Sequence, residues 1–268
     1  MNLAPSDKRQ LGFTLVELLV ALGIFLVVTG AAFTLLGSSQ KNYQTESQVL
    51  TSFQEARLAL DQIVRDVNDS GYPPPTYSEG VVELYASSPF AWSAGAGYPP
   101  PGRCQIGTGG TGTCTTATAN DQAPGDFDLI IETNPNRQDP SCAPTCKVQW
   151  IRYQLQGTTL MRAMVPKELG KDPDAKTLGN LVPLVQNVIN NSGGTPVPIF
   201  SYTCDTPTAP QPQPPLCASL GTAADNSPAN IRDVTVTLIV AAPLPDATTG
   251  QQRVVELRGR GRRINPNQ

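Results

Sequence analysis

One uninterrupted apolar run dominates the N-terminal part of this chain: FTLVELLVALGIFLVVTGAAFTLL, from Phe13 to Leu36. Its 24 residues, at about 1.5 Å each in a helix, reach roughly 36 Å, enough to cross a hydrocarbon core. The run holds no Pro and a single charge, Glu17. It must lie in lipid or be covered by other apolar surface, because leaving it in water costs roughly 25 cal/mol per Å². Lys8 and Arg9 precede it and Lys41 follows at a distance, so the positive-inside rule places the N-terminus in the cytoplasm and the remainder across the membrane. A secretory signal has an apolar region of about 7–15 residues with a small-residue cleavage site after it. This run is longer and carries Glu17 near its start. Removal by ordinary signal peptidase and an uncut anchor remain as the two rival fates.

The helical pattern continues past the run. Val49, Phe53, Ala56, Leu60, Ile63 and Val67 recur at steps of four and three, while Gln54, Glu55, Asp61 and Arg65 fill other faces, which is the pattern of an amphipathic helix. No Pro occurs from Asn42 through Ser70, and SGYPPP from Ser70 to Pro75 is a firm stop, since a residue before Pro is pushed out of the helical region. A single helix from Phe13 to about Asn68 would be on the order of 85 Å long. The alternative is two helices hinged around Gly37 to Ser39.

Beyond Pro75 the period changes from helix to strand. Val81 to Ala86, Phe127 to Thr133, Val148 to Gln156, Thr159 to Val165, Ile231 to Ala241 and Arg253 to Arg260 read as strands. Gly157 sits at a hairpin turn, and DVTVTLIV alternates like a strand covered on one face. The expected fold class is α+β: a long N-terminal transmembrane and stalk helix, with a C-terminal head built on an antiparallel sheet packed against the second half of the stalk. The domain expectation is a leader at 1–12, a membrane helix at 13–36, its amphipathic continuation at 37–70 and a β-rich head at 71–268.

Gly/Thr-rich and Pro-rich stretches interrupt the head, and six cysteines fall in or beside them: Cys104, Cys114, Cys142, Cys146, Cys204 and Cys217. Six thiols allow 15 pairings. Near-neighbour closure, Cys104 with Cys114, Cys142 with Cys146 and Cys204 with Cys217, would staple each loop locally and leave the sheet core to other forces. An exported domain makes disulfides the natural state. A zinc cluster is the rival, weakened by the absence of His and of any C-x2-C pair.

Composition argues against catalysis. The sequence holds 19 Lys+Arg against 22 Asp+Glu, a net charge of -3, and no His, which removes the commonest general base. No GxSxG elbow or Walker loop occurs. Neither a catalytic residue, a cofactor nor a metal is expected. Asp121, Asp126 and Asp128 supply oxygen ligands at a spacing that fits no standard calcium loop, and an exposed acidic turn is the plainer reading. Arg258, Arg260, Arg262 and Arg263 offer phosphate contacts, yet without interleaved aromatics they read as a solvated edge strand whose charge deters aggregation. Nucleic acid is therefore not an expected partner.

The order Lys8, Arg9, Gln10, Leu11, Gly12, Phe13, Thr14, Leu15, Val16, Glu17 resembles the prepilin-type signal of type IV pilin-like proteins. In that family a membrane aspartyl protease, prepilin peptidase, cuts after the Gly on the cytoplasmic side and the new N-terminal residue is N-methylated. The resemblance assigns cleavage to Gly12–Phe13 and methylation to Phe13. Glu17, an ionised group in a membrane helix, needs a partner; in the family this Glu pairs with the new α-amine of a neighbouring subunit and sets register. Opposite charges about 4 Å apart at an effective dielectric near 20 attract by roughly 4 kcal/mol. Snorkelling of Glu17 to the headgroups is the alternative. ARLALDQIVRDVNDSGY, VQWIRYQLQGTTLMR, LVQNV with FSYTC, and IRDVTVTLIV are similar, in that order, to the minor pilin PilW and type II secretion pseudopilin J (PulJ-like) group. The resemblance implies a non-enzymatic subunit held by one span in the inner membrane, its head in the periplasm or cell exterior. It implies partners among other pilins through the N-terminal helix, the assembly machinery, and the bilayer before assembly. A membrane-anchored adhesion or ligand-binding module that does not polymerise is the alternative.

Overall fold

A computed structural model describes residues 13–75, 81–93, 104–106, 114, 123–135, 147–205, 215–220, 226–246 and 249–263. The stalk is one helix, α1, Leu15–Asn68, of 54 residues, so the hinge at Gly37 to Ser39 does not occur. Gly23, Gly30 and Gly37 lie within it with open space around them. The helix starts at Thr14, whose extended backbone and side chain form a capping box with Glu17, and such a box satisfies two of the orphan N–H groups of a first turn. It ends at Asp69. Gly71 then takes φ +77, and a Cβ there would stand 3.3 Å from Pro89, so the exit needs a residue that is both left-handed and bare.

Among the described residues, eight strands form two antiparallel sheets rather than the one expected. The first has the order β1 (Phe90–Ala91), β2 (Asp128–Thr133), β3 (Gln149–Gln156), β4 (Thr159–Pro166), β5 (Val182–Val185). The second is β6 (Phe200–Cys204), β7 (Ile231–Pro245), β8 (Gln252–Arg262). A short helix, α2 (Pro173–Leu178), capped by Asp172, joins β4 to β5. Gly157 (φ +59) makes the β3–β4 turn, as its position in the sequence predicts.

The stretch Val81 to Ala86, expected as a strand, is instead a 3-10 turn at Val82–Leu84. It closes on itself by Leu84 N–H to Val81 O (3.0 Å), and scattered bonds rather than a ladder tie the stretch to its surroundings: Val148 N–H to Glu83 O, Ala86 N–H to Pro73 O and Lys167 Nζ to Tyr85 O. β5 escaped notice because Pro183 breaks its pattern, although an edge strand tolerates Pro.

β7 explains how the sheets meet. Beyond Val236 its edge no longer has β6 beside it, and residues 187–190 take over: Ala241 N–H donates to Asn187 O and Ile189 N–H to Ile239 O. The buried Asn190 side chain acts as a substitute strand, accepting from Ile239 N–H (2.8 Å) and donating to Thr237 O (2.9 Å). The main core collects Ala56, Leu60, Ile63 and Val67 of α1, Ile151 and Tyr153 of β3, and Val234, Val236, Leu238 and Val240 of β7.

Candidate functional site

The N-terminal tip of α1 is built by local chemistry. Thr14 N–H and Thr14 Oγ1–H both donate to Glu17 Oε2 at 3.0 Å, and Glu17 N–H donates to Thr14 Oγ1 at 3.2 Å. The acid also faces the positive end of the helix dipole. Glu17 thus finds its partners within its own first turn in the isolated chain. Phe13 precedes the cap and is 83% exposed, and Gly12 lies outside the described residues.

From Phe13 to Leu36 the large apolar side chains are exposed on every face. This helix is the single one among the described residues long and apolar enough to cross a membrane. Covering by the head begins at Val49 and extends through Ala56, Ala59, Leu60, Ile63, Asp66 and Val67. The apolar stripe read from the sequence therefore does face the head, with Phe53 half-buried and Ala59 added to it.

Two devices seat the head on the stalk. β8 runs along α1 with Gly259 and Gly261 against it. A Cβ at Gly259 would meet Leu60 and Val64 at 2.9 Å, and one at Gly261 would meet Val67 Cγ1 at 2.5 Å. Bare backbone lets helix and strand approach closely. The alternation of Arg and Gly at the chain's end, Arg258 to Arg262, encodes this: glycines toward the helix, arginines away. The second device is polar. Tyr153 Oη donates to Asp66 Oδ2 (2.5 Å), and Arg162 donates to Tyr153 Oη (3.0 Å) and to Asp66 Oδ2 (3.2 Å). Burial, with the Asp66 charge next, pushes the Tyr153 phenol well above its usual value. Asp66 escaped sequence reasoning, although an acid inside an otherwise apolar helical stripe was a signal to follow.

The opposite face of the first sheet holds buried charge. Arg152 donates to Asp128 through Nε (2.9 Å) and Nη2 (2.5 Å) and pairs with Asp174 of α2 at 2.6 Å. Lys167 pairs with Glu132 and donates to Tyr85 O (2.8 Å) and Ser87 Oγ (2.7 Å). Charges so placed are held by complete pairing, and they pin α2 and the 85–87 segment to the sheet. Asp128 is thereby a structural ion-pair partner rather than part of an open acidic turn. Asp126 is nearby and exposed, and Asp121 lies outside the described residues. Among the described residues no group of three His, Cys, Asp or Glu could hold a metal.

Disulfides join Cys104 to Cys114 and Cys204 to Cys217, while Cys142 and Cys146 lie outside the described residues. All four described sulfurs belong to the main core. The expectation that the staples serve loops and not the core is corrected for these two: Cys204 is the last residue of β6, so its bridge ties the 217–219 turn to a core strand. Of the arginines, Arg258, Arg260 and Arg262 are exposed on the β8 edge, but Arg263 is buried and donates to Ala229 O (2.6 Å).

The model of the family described as the prokaryotic N-terminal methylation motif matches residues 7–33. The motif supports a type IV pilin-like protein. The α+β architecture, a long N-terminal apolar helix followed by antiparallel sheets, is that of a type IV pilin-like fold. Comparison with curated proteins and with solved structures returned no match. The motif implies processing by prepilin peptidase and assembly with other pilins, and the apolar helix fits a single-pass membrane anchor. It points to a structural family that is usually non-enzymatic.

Proposed function

We propose that this chain is a minor pilin or pseudopilin subunit of a type IV pilus or type II secretion-type filament, of the PilW and PulJ-like group, acting in filament initiation or at the tip. In this reading prepilin peptidase removes residues 1–12, Phe13 is N-methylated, and the head lies in the periplasm or outside the cell. One observation carries it: α1 is a continuous 54-residue rod that the head buries only from Val49 onward, its first described contact being the Arg253–Glu46 ion pair at 3.0 Å. The uncovered apolar half satisfies a bilayer first and neighbouring stalks afterwards, with no change in the fold. The chain enters the filament by exchanging lipid contacts for helix contacts. Glu17, capped in cis before assembly, then meets the α-amine of a neighbouring Phe13.

Mass spectrometry of native protein tests the processing: an N-methylated Phe13 is expected, and an intact Met1 in assembled material would sink the idea. Glu17→Leu tests assembly. The variant should still be cleaved but lose incorporation into filaments; normal incorporation would favour the non-polymerising anchored module.

A further inference from the structure

The free edge of β8 has a composition and a geometry that the stalk reading does not use. Within the second sheet β8 is a terminal strand, 11 residues long and exposed along most of its length. Arg262 N–H turns away from β7 and donates to Asn68 Oδ1 (2.7 Å). Antiparallel pairing alternates inward and outward main-chain groups, so Val254, Glu256, Arg258 and Arg260, in the same parity, also present N–H and C=O at the edge. Among the described residues nothing bonds to those outward groups. Their side chains share the face away from α1, because Gly259 and Gly261 occupy the helix-facing positions.

That face is basic. Arg258 and Arg260 side chains are 70% and 59% exposed. One buried carboxylate, Asp233, serves Arg260 at 2.7 Å and Arg262 at 3.8 Å, while Arg232 lies closer to Asp205 (3.3 Å) than to Asp233 (4.0 Å) and Arg258 pairs with Glu256 (2.5 Å), so four guanidinium groups share three carboxylates and one positive charge is left over, at Arg260 and Arg262. A second copy of this edge pairing antiparallel about residues 258 to 260 would set arginine against arginine, and like charges directly opposite are destabilising; paired about Leu257 it would match Arg258 with Glu256 but leave Arg260 opposite Val254 and Arg262 opposite Gln252, without a carboxylate. An acidic strand meets the reverse situation.

We infer that the β8 edge is a docking site for an extended acidic segment of a partner protein, added antiparallel as a further strand. Main-chain bonds to 254, 256, 258 and 260 supply the affinity. Acids at two alternate partner positions lie opposite Arg260 and Arg258, and an uncharged residue lies opposite Glu256. Asn68, by occupying the N–H of Arg262, ends the added strand and sets its register. This inference is independent of the filament reading.

The test uses the full chain in detergent micelles and a synthetic eight-residue peptide with two glutamates at alternate positions followed by two threonines. A twin peptide N-methylated on the residues whose N–H groups face β8 keeps the charge but cannot pair. The acidic peptide should bind at least tenfold more tightly than its methylated twin and than a lysine-for-glutamate version. It should slow amide exchange at Val254, Glu256, Arg258 and Arg260. Arg258→Glu, at an exposed position whose described contact is Glu256, should lower affinity at least tenfold. Equal binding of the methylated twin, equal binding of a single-stranded oligonucleotide, or no binding at all would overturn the inference.

Discussion

Replacing Gly261 by Ala is the sharpest test of how the head sits on the stalk. The added Cβ would stand 2.5 Å from Val67 Cγ1, 2.7 Å from Val67 Cβ and 3.2 Å from the Val64 carbonyl oxygen, whereas carbon atoms pack at about 3.5–4.0 Å. Something must yield by about 1 Å. Val67 is fully buried and, as a β-branched residue in a helix, is largely held to one rotamer, so the helix itself must shift. Ala is a better strand residue than Gly by roughly 0.5–1 kcal/mol, and overpacking costs typically about 1–3 kcal/mol; the clash wins. We predict a net loss on the order of 2 kcal/mol in urea denaturation of the full chain in micelles, followed by the fluorescence of the buried Trp150. Val67→Ala alone removes two buried carbons and should cost on the order of 2 kcal/mol. Combined with Gly261→Ala it should cost less than the two singles together, because it vacates the space the new Cβ needs. Wild-type stability for Gly261→Ala, or strict additivity of the pair, would refute the close-approach argument.

Three further outcomes follow from the same geometry. Asp66→Ala leaves the buried Tyr153 hydroxyl without its acceptor and should cost about 2–4 kcal/mol, measured by the same denaturation; a loss under 0.5 kcal/mol, within the range of ordinary surface substitutions, would contradict the latch. Burial holds the phenols of Tyr153 and Tyr202 in their neutral form, with nearby carboxylates adding to it, so both folded values lie well above the ordinary phenol value of about 10. Because the folded state holds those protons more tightly, its stability is intact below about pH 10 and falls as pH rises toward the folded values; Tyr153→Phe and Tyr202→Phe should flatten that alkaline slope, read with tyrosinate absorbance. Reducing the Cys104–Cys114 and Cys204–Cys217 bridges, which close separations of 10 and 13 residues, should cost up to roughly 3 kcal/mol each. Since all four sulfurs are buried, reduction under native conditions should be slow and should disturb amide protection in β6, not the flanking turns alone.

The residues that carry the α1 tip were legible because their interactions are local. Thr14 and Glu17 bond three positions apart, and the apolar run states its own need for lipid or partners. The stalk's length and stop, the β3–β4 hairpin at Gly157 and the β7 strand were readable from helical or alternating period together with Gly and Pro punctuation. Period also found the head-facing stripe from Val49 to Val67, because burial on one face of a helix repeats every 3.6 residues.

Tertiary structure alone decided what depends on contacts between distant residues. Asp66 meets Tyr153 across 87 positions and Asn68 meets Arg262 across 194, and no window of sequence contains both partners. The split into two sheets, with Asn190 standing in as a strand against β7, arises because β6 ends its pairing at Val236 while β7 continues. Asp128 looked like part of an acidic turn until Arg152, one strand away, claimed it. The cysteines looked like loop staples until the fold drew Cys204 and Cys217 into the core. The glycines at 259 and 261 carry no side chain from which to read a partner; their meaning exists only where α1 lies against them, since a requirement for empty space is visible only once the neighbour that fills it is in place.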